Sequence, residues 1–83
     1  MIWFKEKPRH IIIRNKIAKI LGLNPEQCTD YSNLQDDLCA DDLDMVELAL
    51  DLEDEYGIEI TCKELESITH VKSVIDLVNR KTK

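Results

Sequence analysis

Apolar residues along this chain recur at helical spacing. Ile13, Ile17, Ile20 and Leu21 fall at i, i+4, i+7 and i+8, which is one face of a helix, and Ile11 and Ile12 widen that face. Pro8 suits a first helical turn, while Gly22 and Pro25 mark a stop, so a first helix is predicted from near Pro8 to Leu21. Residues 22–40 then form a long connection. Within it Asn24-Pro25-Glu26-Gln27 reads as a capped single turn, and Leu34 and Leu38, four apart, are expected to pin the segment to the core. A second helix is predicted from Asp41–Asp42 to about Tyr56, with Gly57 as its stop. Thr61 followed by Glu64 forms a capping box for a short third helix through about Ser67. Thr69 is expected to cap a fourth helix, in which Val71, Val74, Ile75 and Val78 repeat at i, i+3, i+4 and i+7.

The second helix carries two apolar stripes. At about 100° per residue, Met45, Leu48, Ala49, Leu52 and Tyr56 share one arc, which reads as the core face. Asp44, Glu47, Asp51, Asp54 and Glu55 share the opposite arc. Leu43, Val46 and Leu50 lie on one flank of the acids, beyond what a half-buried helix needs. The wheel alone leaves two readings of that stripe open: burial under the long connection, or exposure to a partner.

Composition narrows the class. Eighty-three residues make one domain. With 43% hydrophobic and only 5% aromatic residues, the core is expected to be aliphatic, and two glycines and two prolines argue for helices over a many-turned β fold. The net charge of −6 conceals a block. Residues 1–25 hold six bases against one acid, residues 26–66 hold fifteen acids against one base, and residues 67–83 hold four bases against one acid. Such a block repels nucleic acid and draws basic protein surfaces. From Asp36 through Glu55 there are ten acids in twenty residues and no Lys or Arg. Like-charge neighbours on one helix cost stability, and a mixed surface would solubilise as well, so the run is read as a partner-docking face.

Little else carries chemistry. Cys28, Cys39 and Cys62 are odd in number, widely spaced and without a CxxC, which predicts reduced thiols in a cytoplasmic protein. Together with His10 and His70 they show no ligand-like spacing, so no metal site is expected. A loosely cation-binding acidic protein is a competing reading, but residues 36–47 lack the EF-hand glycine at position six and place Leu38 at position three. No apolar run approaches a bilayer span. Residues 1–7 read as an N-terminal extension to a domain of residues 8–83; Ile2, Trp3 and Phe4 either fold back on the bundle or touch a membrane surface or partner. No nucleophile–base pair or glycine-rich phosphate loop is present, so the chain is not expected to be an enzyme.

The stretch Asp36-Asp37-Leu38-Cys39-Ala40-Asp41-Asp42-Leu43-Asp44-Met45-Val46-Glu47-Leu48 resembles the acyl carrier protein family, whose pattern is D-L-G-A-D-S-L-D-x-V-E-L. The likeness runs from about Ile13 to Val78. It implies an all-α four-helix bundle with a long first loop and a short third helix, a monomer, and a role in fatty-acid, related lipid or polyketide synthesis. In this family a phosphopantetheine arm is attached to the motif serine, and partner enzymes grip the acidic second helix with basic residues. By position, Asp41, Asp44, Glu47, Glu53 and Asp54 are the implied acidic contacts. Leu43, Val46 and Leu50 are the implied apolar ones, which resolves the second stripe towards exposure.

Two positions depart from the pattern. Asp42 stands at the serine position, and a carboxylate cannot form the stable phosphodiester that a hydroxyl forms. Ser32, Ser67 and Ser73 lie elsewhere in the predicted fold. No phosphopantetheine is therefore expected on this sequence. For the fold, an aspartate in the first turn of a helix is favourable. Cys39 stands at the motif glycine and is expected to be a buried, inert small residue. The implied function is an interaction or regulatory module that docks on carrier-binding enzymes or a transferase. The alternative within the family is a genuine carrier whose serine was changed to Asp42.

Overall fold

The structure, a computed structural model, describes residues 8–82. Its elements are α1 (Arg9–Leu21), a single 3-10 turn (Pro25–Gln27), α2 (Asp42–Tyr56), α3 (Cys62–Ser67) and α4 (Val71–Thr82). Helix α1 packs on both α2 and α4, while α3 packs on α2. The expected four-helix bundle with a long first loop and a short third helix is what forms. The Ile2-Trp3-Phe4 segment lies outside the described residues.

The ends of the helices are set by local chemistry. Pro8 sits one position before α1, as the residue flanking its first turn. At the other end Gly22 adopts φ 71°, and the Gly22 and Leu23 amides donate back to the carbonyls of Lys19 and Ala18 at 3.3 and 2.8 Å. Helix α2 opens with a reciprocal box. Asp44 N–H donates to the Asp41 carboxylate at 2.8 Å, and Asp41 N–H donates to the Asp44 carboxylate at 3.2 Å. Thr61 and Glu64 do the same for α3, at 3.1 and 2.9 Å. Each box satisfies amide donors that the first helical turn leaves unpaired.

The start of α4 departs from expectation. Thr69 does not cap it; His70 is the residue before the first turn, and the Ser73 hydroxyl accepts from His70 N–H at 3.3 Å. Thr69 lies one residue too early because its backbone is used elsewhere: its carbonyl accepts from Leu34 N–H at 2.9 Å, beside an antiparallel bridge between Asn33 and His70. The first loop then supplies what α4 lacks, since the carbonyls of Ser32 and Asp30 accept from Val71 and Lys72 N–H at 3.1 and 3.0 Å.

The core is aliphatic, as the composition implies. Ile13, Ile17, Leu34, Leu52, Val71, Val74 and Val78 are essentially sealed from water, and among the described residues no polar or charged residue is buried. Leu34 and Leu38 are both buried and fasten the loop. Leu77 is buried as well, although the fourth-helix stripe omits it. A void beneath the loop, lined by Ile17, Leu34, Met45 and Leu48 among others, has only about 10 Å³ free, room for one water and no more.

Candidate functional site

Helix α2 divides along its length into a buried side and a presented one. Met45, Leu48, Ala49 and Leu52 are buried, matching the core arc, with Tyr56 half-buried at the end. Leu43, Val46 and Leu50 stay exposed at 67%, 44% and 59%. These fractions decide between the two readings of the second stripe: the loop does not cover it. Such side chains lose solvation free energy in water that a partner can recover.

The acids around that stripe are not equivalent. Glu47 and Asp54 are exposed. Asp41 and Asp44 carry the α2 capping box. Glu53 is half-buried, and its carboxylate accepts from Ile60 N–H at 2.7 Å in the segment that leads into α3. Asp51 and Glu55, on the acidic arc, share the Lys16 ammonium of α1 at 3.1 and 3.3 Å. Burial works against the Lys16 charge, but the two carboxylates outweigh it and raise its pKa. The acidic run thus has a counter-charge that lies outside its own segment. The face that remains free is weighted towards the first half of α2.

Asp42, the residue that the resemblance sets at the attachment position, is the first residue of α2 and is exposed. A groove of about 370 Å³ opens beside it, between α2 and α3. Asp42, Met45 and Val46 line it on the α2 side, Cys62, Leu65 and Glu66 on the α3 side, with Gln35, Ile68 and Thr69 closing it. The one hydroxyl among these groove residues is Thr69, which is hydrogen-bonded to His70 Nδ1 at 2.8 Å. Ser32, Ser67 and Ser73 do not line it.

Cys39 is a correction. It is exposed rather than buried, and it holds φ 61°, a left-handed conformation that favours glycine. Cys28 is the sealed thiol, with burial pushing its pKa up, against the nearby Arg14. Among the described residues no group of three or more His, Cys, Asp or Glu side chains is placed to hold a metal ion. No described helix is long and apolar enough to cross a membrane.

A four-helix bundle fastened by a long first loop, an acid-ringed apolar stripe and a groove at the head of α2 define a small helical domain with a presented acidic face. Comparison with known proteins makes this specific. The family model described as "Phosphopantetheine attachment site" matches residues 12–78. An acyl carrier protein of Buchnera aphidicola subsp. Baizongia pistaciae is 44% identical over 68 residues, covering 82% of this chain and 87% of that protein. One from Buchnera aphidicola subsp. Schizaphis graminum is 39% identical over 71 residues, covering 86% and 90%. The solution structure of the apo doublet acyl carrier protein from prodigiosin biosynthesis superposes with a TM-score of 0.77 at 20% identity; it matches 88% of this chain, which spans 35% of the doublet. The chain belongs to the acyl carrier protein family, a family of phosphopantetheine carriers rather than catalysts.

Proposed function

We propose that this chain is a cytoplasmic acyl carrier protein homologue, of fatty-acid, lipid or polyketide lineage, that keeps the docking face but does not carry the arm. One observation carries the reading: the side chain at the head of α2 is the carboxylate of Asp42. A serine hydroxyl there displaces one phosphate of the coenzyme A pyrophosphate and leaves a stable phosphodiester. A carboxylate in the same reaction would leave an acyl phosphate, a mixed anhydride that water hydrolyses. Asp42 therefore does not fit the prosthetic group that the family implies.

What remains is an interaction module. Its contacts are the exposed Leu43, Val46 and Leu50, ringed by Asp41, Asp44, Glu47, Glu53 and Asp54. Basic surfaces of carrier-dependent enzymes are the fitting partners, steered by opposite charge. By occupying such a surface, the chain would compete with genuine carriers.

Mass spectrometry after incubation with coenzyme A and a phosphopantetheinyl transferase tests the reading. The wild-type chain is expected to gain no mass, and Asp42→Ser to gain one arm. Covalent modification of the wild type would overturn the proposal. A correctly folded Asp42→Ser that stays unmodified would show that more than the hydroxyl has been lost.

A further inference from the structure

Helix α3 is the least anchored element of the bundle. It has six residues and buries none of them, and an isolated helix of that length is unstable in water. Leu65 is its half-buried apolar foothold. It packs against α2, while among the described residues its backbone makes no close approach to α4. The segment that leads into it starts at Gly57, held at φ 64°, and ends at Ile60, whose N–H is tied to Glu53.

One side chain bridges the gap to α4. Lys81, in the last turn of α4, donates from Nζ to the Glu59 carbonyl at 2.7 Å and pairs with the Glu64 carboxylate at 2.7 Å. The same carboxylate oxygen of Glu64 also accepts from Thr61 N–H at 2.9 Å. A single ammonium thus joins α4, the α2–α3 connection and the capping box of α3. The two side chains retain only 23% and 26% of their exposure, so this pair is screened less than the open pair Lys72–Asp76, at 52% and 58%. The other charges nearby, Lys63 and Glu66 on α3 and Arg80 on α4, are exposed.

We propose that Lys81 is a latch: its ammonium, shared between the Glu59 carbonyl and the Glu64 carboxylate, holds α3 to the bundle and keeps the groove beside Asp42 narrow. Neutralising that charge, or drawing it onto a partner's carboxylate, releases α3 while the other three helices stay packed. Because α3 supplies Cys62, Leu65 and Glu66 to the groove wall, its release widens the groove and uncovers Met45 and Ile68. The latch acts on the groove whether or not an arm is ever attached, so it stands apart from the reading of Asp42.

Residue-resolved amide hydrogen exchange on the full chain tests it. Local opening should show as exchange about tenfold faster or more at residues 62–67 in Lys81→Gln, with α1 and the first half of α4 unchanged. Glu64→Gln should reproduce the effect, Lys81→Arg should restore most of the protection, and high salt should move the wild type in the same direction. Unchanged exchange in α3 for both neutral variants would overturn the proposal. So would a uniform loss of protection across all four helices, which would make Lys81 an ordinary contributor to global stability.

Discussion

At the scale of single residues, Cys39 and Asp42 bracket the start of α2 with opposite consequences. Asp42 costs the fold nothing, since a carboxylate in the first turn meets the positive end of the helix dipole. Cys39 does cost something, because a side chain at φ 61° crowds its own backbone. Cys39→Gly is expected to raise the unfolding free energy by about 1 kcal/mol, seen as a higher denaturation midpoint at unchanged slope. A neutral or destabilising result would mean that the Cβ or the thiol makes up the strain through contacts. The departure from the motif glycine was legible in the sequence; the backbone angle that gives it a cost was not, because a positive φ at a residue other than glycine leaves no mark in composition or spacing.

At the scale of elements, the helix ends follow from local signals and the links between helices do not. Gly22, Gly57 and the two capping boxes around Asp41 and Thr61 act within a few residues of themselves, so their spacing was enough to bound three of the four helices. The fourth start moved by one residue because the Thr69 carbonyl is claimed by Leu34, 35 positions earlier. Likewise Lys16 finds Asp51 and Glu55, and Lys81 finds Glu64, only once the helices are arranged in space. The Lys81 link makes α3 sensitive to acid. Lys81 and the Thr61 hydrogen bond hold the Glu64 carboxyl at about 2, well below its usual value. A carboxylate with a depressed native pKa contributes stability that is complete above its unfolded pKa and fades as pH falls towards the native one. Between about pH 4.5 and 2, α3 amides of the wild type should therefore lose protection, after correction for intrinsic exchange. Glu64→Gln should respond far less over that range. A wild-type response no larger than that of the variant would remove Glu64 as the cause.

At the scale of the whole molecule, one aliphatic core joins α1, α2, α4 and the first loop. Leu52 lies at its centre with no exposure, and Leu52→Ala is expected to cost about 2–5 kcal/mol, measured by chemical denaturation. For a domain this small that is a large share of the total, and a cost below about 1 kcal/mol would imply that the site collapses on the void. The same core leaves Leu43, Val46 and Leu50 outside. The sequence wheel could count them as surplus but could not say what covers them, because coverage depends on where the loop runs. Pinned by Leu34 and Leu38 and sewn to the start of α4, the loop runs away from that stripe.

Among the described residues the interior holds no buried polar or charged side chain, and its one thiol, Cys28, is already protonated and gains nothing from acid. Acidification therefore acts on this protein from outside: it discharges the surface, relieves the mutual repulsion of fifteen crowded carboxyl groups, and leaves the hydrocarbon packing among α1, α2 and α4 in place even where α3 loosens. Shape and field are separable in this molecule, so its negative surface charge can be titrated away while the scaffold of α1, α2 and α4 persists.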